Sequence, residues 1–100
     1  MAVLELSSFE MIAKEHDPGG YQCVLDFGEH HQLSIISGNG AQGTKNAPYE
    51  AAIFINGEIA HLPGINEDFE DDVIGYLKEN EVDVIIKKMY LLTGKTPEQV

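Results

Sequence analysis

The chain contains no arginine and no tryptophan, and only six of its 100 residues are basic. All six are lysines, so the planar guanidinium group that binds phosphates, carboxylates and guanine through two hydrogen bonds is missing. Because nucleic-acid-binding surfaces need clustered positive charge, we predict no direct binding to DNA or RNA. Seventeen acidic residues give a formal net charge of −11. This charge disfavours anionic membranes and favours a protein partner with a basic surface.

Cysteine and long apolar runs are also scarce. Cys23 is the single cysteine, so no internal disulfide can form, which agrees with a reducing compartment. The longest apolar run covers residues 51–55, far short of the roughly 20 residues of a membrane-spanning helix. The first residues lack the basic and apolar regions of a signal peptide, so we expect a cytoplasmic protein. The composition, 43% hydrophobic and 23% charged, predicts one folded domain over residues 1–100.

Residues 1–20 have the least informative pattern, and helix, strand and disordered arm are all compatible with them. Ser7 and Glu10 have the spacing of a capping box, which predicts a possible short N-terminal helix ending near His16. Residues 17–20, Asp-Pro-Gly-Gly, then predict a turn.

From residue 21 onward, apolar and polar residues alternate, which indicates β-strands. We expect four strands, at residues 21–27, 32–37, 49–55 and 58–62, joined as an antiparallel meander. Asn56-Gly57 separates the last two and predicts a type I′ hairpin turn, because both residues tolerate a positive φ.

After Pro63-Gly64 the apolar spacing becomes helical. A first helix is predicted over about residues 70–78, with Phe69, Val73, Tyr76 and Leu77 buried. A second is predicted to start behind Asn80 as N-cap and to end at Gly94, with Val82, Ile85, Ile86, Met89 and either Leu91 or Leu92 as its apolar stripe. Residues 94–100 would form a loose tail. The predicted fold class is therefore α+β: a four-stranded antiparallel β-meander with a C-terminal helical hairpin packed on one face.

Residues 38–43 match the G-x-G-x-x-G pattern of dinucleotide-binding loops. Such a site also needs a helix directly after the motif, whereas Pro48 and a strand follow here. The match is therefore interpreted as coincidental, and no cofactor is predicted. The whole loop, residues 38–48, is long for a hairpin connection, so it is either a surface crossing or a binding loop. Its candidate contact residues are Gly38, Asn39, Gly40, Gln42, Gly43 and Lys45.

Metal and nucleophile chemistry have little support in the sequence. His30 and His31 are adjacent, so on extended backbone their side chains point to opposite faces, and no spacing typical of structural zinc is present. We predict neither a metal site nor a catalytic residue. A small metal-binding protein or hydrolase using His30, His31 and Asp26 is the weakest alternative. Cys23 alternates inward with its strand, which favours a buried structural thiol over a reactive one.

Acidic residues are concentrated between positions 67 and 83, where Lys78 is the single basic residue. They are Glu67, Asp68, Glu70, Asp71, Asp72, Glu79, Glu81 and Asp83. One interpretation is a solvated surface with acids at helix starts. The other is a non-enzymatic binding protein, an inhibitor or a nucleic-acid mimic, that uses these residues to dock on a basic partner. A third possibility is a structural component that forms homodimers through the sheet edge.

Several stretches of the chain point to a family. They read Leu-Ser-Ile-Ile-Ser-Gly at 33–38, Tyr-Glu-Ala-Ala-Ile-Phe at 49–54, Asn-Gly-Glu at 56–58, Asp-Asp-Val-Ile-Gly-Tyr-Leu at 71–77 and Glu-Val at 81–82. Together they resemble a type of small protein of tailed phages and prophages that has no assigned function. The resemblance implies a phage or prophage setting in the host cytoplasm and supplies no catalytic residue. The loop at 38–48 and residues 62–65 depart from the pattern, so no role is transferred to the loop.

Overall fold

The computed structural model describes residues 4–68 and 70–100. Within them lie an antiparallel sheet of seven strands and one α-helix, so the α+β class is confirmed. The strands are β1 (Ile12–Ala13), β2 (Gly20–Asp26), β3 (His31–Gly38), β4 (Tyr49–Ile55), β5 (Glu58–Ile59), β6 (Ile74–Leu77) and β7 (Glu98–Gln99). The helix α1 spans Glu79–Thr93, and a 3-10 turn spans Leu6–Ser8. None of the helices in the described residues is long and apolar enough to cross a membrane.

Three long strands, β2, β3 and β4, form the centre of the sheet, and short strands pair along both of its edges. β1 and β7 share the outer edge of β2, while β5 and β6 share the outer edge of β4. The gaps between these short strands are closed by hydrogen bonds from the Val100 N–H to the Val24 carbonyl and from the Ala60 N–H to the Ile53 carbonyl. The predicted four-stranded meander is therefore wrong, because three short segments add further strands to the sheet.

The turn between β4 and β5 is as predicted. Asn56 and Gly57 have φ values of 55° and 79°, both in the left-handed region that a type I′ turn requires. β4 has the bounds predicted from the alternation of its residues. β5 ends at Ile59, three residues earlier than expected, because residues 60–66 form a hydrogen-bonded loop instead of continuing the strand.

One face of the sheet is covered by α1, and the main core lies between them. Residues that are neighbours across β2, β3 and β4 form two fully buried rows on this covered face: Cys23–Ile35–Ala51 and Leu25–Leu33–Ile53. α1 buries Val82, Ile85, Ile86 and Met89 against them, as its predicted stripe requires. Leu91 and Leu92, the alternatives for the last stripe position, are 77% and 51% exposed and do not join it.

The predicted first helix of the hairpin, residues 70–78, is wrong. Its second half forms β6, and Tyr76, expected in the core, is 59% exposed with a left-handed φ of 56°. A long-range contact explains the difference. The Tyr76 N–H donates to the Gln42 carbonyl at 2.8 Å, and a Cβ at Gly75 would lie only 2.8 Å from the Gln42 side chain. The expected burial of Phe69 lies outside the described residues.

The described part of the N-terminal segment, residues 4–19, contains only the 3-10 turn at Leu6–Ser8 and the strand β1, so the predicted helix ending near His16 is wrong. The Leu6 N–H donates to the Asp83 carboxylate of α1 at 2.8 Å, which orients the buried Leu6 toward the core. The Gln99 side chain accepts from the Glu10 N–H at 2.9 Å and donates to the Glu10 carbonyl at 2.6 Å. Residues 98 and 99, expected in a loose tail, are thus paired both with β2 and with the N-terminal segment.

The helix begins two residues earlier than predicted. Lys78 is the N-cap residue instead of Asn80, and its N–H donates to the Glu81 carboxylate at 2.9 Å. Gly94 follows the last helical residue with a φ of 72°, as predicted, and its N–H donates to the Tyr90 carbonyl.

Candidate partner-binding surfaces

The acidic loop, defined as residues 60–73 between β5 and β6, has a closed hydrogen-bonded base. Asn66 is only 1% exposed. Its Oδ1 accepts from the Leu62 N–H at 2.7 Å, and its Nδ2 donates to the Ala60 carbonyl at 3.2 Å. The Asn66 backbone N–H also donates to the Leu62 carbonyl. One buried side chain therefore fixes the shape of this part of the loop.

Two further side chains connect the acidic loop to its surroundings. The Lys88 ammonium group of α1 donates to the Gly64 carbonyl at 2.7 Å. The His61 ring lies between the Asn66 carbonyl, 3.0 Å from Nδ1, and the Asp72 carboxylate, 3.3 Å from Nε2. Because both ring nitrogens face oxygen acceptors, only a doubly protonated ring can donate to both.

The structure divides the eight acidic residues that were predicted to bind a partner into two groups. Four are engaged within the protein: Glu67 accepts from the Gly64 N–H, Asp72 faces His61, Glu81 caps α1, and Asp83 accepts from the Leu6 N–H. The other four are exposed and have no side-chain hydrogen bond or ion pair with another described residue; they are Asp68, Glu70, Asp71 and Glu79. Sequence reasoning found the acidic block but could not separate these two groups.

The acids on α1 lie beside a partly buried tyrosine. Burial raises the pKa of Tyr49, and the nearby carboxylates of Glu79 and Asp83 raise it further. The structure thus places Glu79 and Asp83 at the end of the sheet where β4 begins. Glu67 and Asp72 instead belong to the part of the acidic loop that is bonded to Gly64 and His61.

The glycine-rich loop, residues 38–48, is held against its neighbours by its own candidate residues. The Asn39 side chain donates to the Asp17 carboxylate at 3.0 Å, and a Cβ at Gly38 would overlap the Gly19 carbonyl. A Cβ at Gly40 would lie 2.8 Å from the Asp17 carboxylate, and a Cβ at Gly43 would lie 2.6 Å from the Pro48 carbonyl. The Gln42 N–H donates to the Glu50 carboxylate at 3.0 Å, and Lys45 is exposed. These contacts favour a structural surface crossing over a binding loop.

The open face of the sheet, opposite α1, has an unexpected composition. It consists of the rows Gln22–Ile36–Glu50, Val24–Ser34–Ala52 and Asp26–Gln32–Phe54. Ile12 extends the first row and Ile59 the third, and these two side chains are 51% and 40% exposed. A solvated face of an antiparallel sheet is normally polar. Apolar residues at the outward positions 24, 36 and 54 were the sequence signal for this surface.

Two shallow clefts lie on the open face and share Gln22 and Val24. The larger, about 480 Å³, is bordered by Ile12, residues 13–17 and Val100. The smaller, about 280 Å³, is bordered by Gln32, Ser34, Phe54 and Gly57. Together they make the middle of this face concave.

The acidic groups in the three central rows of the open face are already engaged, whereas Glu98, the neighbour of Asp26 on β7, is exposed at the margin. The Asp26 carboxylate accepts from the Gly28 N–H at 2.7 Å, and Glu50, 9% exposed, accepts from the Gln42 N–H. The Gln22 side chain donates to the Ser34 hydroxyl at 2.9 Å. The centre of this face therefore presents mainly apolar and uncharged polar atoms to the solvent.

The residues of the metal and hydrolase alternative lie at the turn between β2 and β3, but the side-chain contacts of Asp26 and His31 there are with backbone atoms. His31 Nδ1 lies 3.1 Å from the Glu29 carbonyl, and Asp26 bonds to Gly28. In residues 4–68 and 70–100, no group of three or more His, Cys, Asp or Glu side chains could hold a metal ion. Cys23 is fully buried, and burial raises its pKa to about 11, so its thiol is protonated at neutral pH.

Comparison of the chain with protein-family models, with characterised proteins and with solved structures finds no match.

Proposed function

We propose that the protein is a small, non-enzymatic binding protein whose acidic loop docks on the basic surface of a partner protein. The observation that supports this proposal is that exposed carboxylates project from an anchored loop. Asp68, Glu70 and Asp71 follow directly after the base that Asn66 closes and that Lys88 ties to α1. Glu67 and Asp72, on either side of these carboxylates, are bonded to Gly64 and His61. Carboxylates on a segment anchored at both ends lose less conformational entropy on binding than carboxylates on a free loop.

The overall charge supports the same function. A net charge of −11 speeds encounters with a basic partner through long-range attraction, and the anchored carboxylates then supply the local contacts. A charged surface of this kind contributes mainly to the specificity and the association rate of binding, and little apolar area is buried. Binding should therefore be fast and sensitive to ionic strength.

A sharper form of the proposal is a nucleic-acid mimic that inhibits a DNA- or RNA-handling protein. Carboxylates spaced along a loop anchored at both ends present negative charge as a phosphate backbone does. A phage or prophage setting, which the sequence resemblance implies, would suit an inhibitor of a host enzyme. Duplex DNA or RNA should then compete with this protein for the same site on the partner.

The test is affinity capture from a nuclease-treated bacterial lysate, with bound proteins quantified by mass spectrometry. The wild type is compared with the loop variant Asp68→Asn/Glu70→Gln/Asp71→Asn. The control variant Glu5→Gln/Glu29→Gln/Glu58→Gln removes the same amount of charge from exposed side chains outside the acidic loop. We expect a basic partner to be retained by the wild type and the control but lost from the loop variant.

Two results would contradict the proposal. Equal loss from both variants would mean that net charge, and not the acidic loop, attracts the captured protein. Retention by both would mean that the contact lies elsewhere. The mimic form fails separately if nucleic acid does not displace this protein from the partner.

A further inference from the structure

From the open face we infer a second interaction surface: two copies of this chain pack sheet against sheet through it. This inference is independent of the acidic loop and its partner. It rests on the composition of the open face, on where the negative charge lies, on the closed edges of the sheet and on the size of the face.

The composition of the open face is that of an interface and not of a solvated surface. Val24, Ile36 and Phe54 are half-buried at outward positions of the three central rows, with Gln22, Gln32 and Ser34 between them. Ile12 and Val100 at its margin are 51% and 70% exposed. Apolar side chains interleaved with uncharged polar ones, with few free charges, are typical of the core of a protein interface. The concave middle of the face can receive side chains from an opposing surface.

The distribution of charge favours a second copy as the occupant. Asp26 and Glu50, the acids in the three central rows, are bonded to backbone N–H groups, so pairing these rows leaves neither carboxylate without a hydrogen bond. Glu15 and Glu98 lie at the margin of the face, where both side chains are exposed and can stay solvated. The acidic loop lies on the other side of the sheet, where Leu62 and Ile65 pack against the core and Lys88 of α1 holds Gly64. A two-fold axis between two open faces would therefore direct both acidic loops outward, away from each other.

The closed edges of the sheet direct self-association to the face. Strand addition needs a row of unpaired backbone groups on a long edge strand. Here β1, β7 and the Val100–Val24 hydrogen bond occupy the edge of β2, while β5, β6 and the Ala60–Ile53 hydrogen bond occupy that of β4. The outermost strands are two to four residues long. A homodimer would thus use the face and not the edge.

The size of the open face is sufficient for a specific, weakly associating dimer. Five strand positions about 4.8 Å apart and seven residues rising about 3.3 Å each give a footprint of roughly 24 by 23 Å. This corresponds to roughly 1,100 Å² over two copies, above the roughly 1,000 Å² that a specific interface needs. Paired sheets about 10 Å apart would bury Val24, Ile36 and Phe54 in a second core.

The test is sedimentation velocity of the full chain from about 1 µM to about 200 µM, the range in which weak dimers dissociate. We expect a concentration-dependent dimer. Ile36→Lys on the open face should weaken it at least about tenfold, because a charge would be buried in the interface. The matched control is Leu91→Lys, which adds the same charge at a 77% exposed apolar position on α1. It should leave the dimer unchanged.

Each outcome bears on the inference. A monomer throughout the concentration range overturns it, and so does a dimer that Leu91→Lys weakens as much as Ile36→Lys. Circular dichroism establishes that the variants are folded. If Ile36→Lys unfolds, Gln32→Lys replaces it, since Gln32 is a polar residue of the same face. A dimer that is unaffected by this second variant also contradicts the inference.

Discussion

The acidic loop and the open face are exposed surfaces of the same small protein with opposite chemistry. The loop carries charge and is shaped by polar contacts, above all those of Asn66. The open face carries Val24, Ile36 and Phe54, and its central acids are bonded internally. The negative charge that gives a net charge of −11 is therefore unevenly distributed over the surface. Salt should weaken contacts made by the loop and, by screening repulsion between copies, strengthen contacts made by the open face.

The largest expected effect compares neighbouring isoleucines on the two sides of β3. Ile35 is fully buried under α1, so Ile35→Ala should lower the free energy of unfolding by about 4 kcal/mol. Ile36→Ala should lower it by about 1 kcal/mol, since its side chain contacts solvent within the protomer. Urea denaturation followed by circular dichroism at low protein concentration measures both. Equal losses would show that the open face is already covered within one chain.

Alkaline pH should destabilise the fold through the covered face. The unfolded Cys23 thiol ionises near pH 9.0, whereas burial raises its folded pKa to about 11. The stabilisation is therefore complete below about pH 9 and is lost as the pH rises through 11, for a total of about 3 kcal/mol. The raised pKa of Tyr49 acts in the same direction. Urea denaturation from pH 7 to 11 measures the decline. A Cys23→Ala variant should decline less, and an identical slope would refute the role of Cys23.

The third prediction concerns the base of the acidic loop. Asn66→Ala removes two hydrogen bonds from a buried position and should cost about 2 kcal/mol. It should also increase proteolysis within residues 60–72. The control is Asn39→Ala, whose two side-chain hydrogen bonds are exposed to solvent, with an expected cost below about 1 kcal/mol. Equal costs, or a loop that stays resistant to protease without Asn66, would mean that the loop is not held by this side chain.

The smallest expected effect compares two adjacent lysines of α1. Lys88→Met removes the hydrogen bond to the Gly64 carbonyl and should cost up to about 1 kcal/mol. Lys87→Met removes the same charge from an exposed side chain and should change the stability by less than about 0.5 kcal/mol. Amide hydrogen exchange of residues 60–68 should increase only in the Lys88 variant. The same increase in both variants would mean that the lost positive charge on α1, and not the lost hydrogen bond to Gly64, increases the exchange.

The elements that were predicted correctly are those determined by interactions between residues close together in the sequence. Asn56-Gly57 requires a type I′ turn, Gly94 ends the helix, and the alternation of residues 49–55 defines β4. Residues 74–77 were predicted incorrectly because a short apolar run fits a helix or a strand, and the contact of Gly75 with the distant Gln42 selects the strand.

The acidic block could be predicted from the sequence, but the open face could not. The acidic block is visible in the sequence, but its division is not, because the hydrogen bond from Leu6 to Asp83 joins residues 77 positions apart. The open face depends on which side of each strand α1 covers. Strands of two residues, such as β1 and β7, are too short to show any alternation.

The most direct test of the proposed function is the salt dependence of partner binding. The partner captured in the comparison of loop and control variants is titrated with the wild type at about 50 mM and about 300 mM salt, where screening lengths differ more than twofold. We predict that the dissociation constant rises at least about tenfold at the higher salt concentration, and that the loop variant shows little of this dependence. A dissociation constant that is the same at both salt concentrations, or a loop variant with wild-type salt dependence, would contradict docking through the acidic loop.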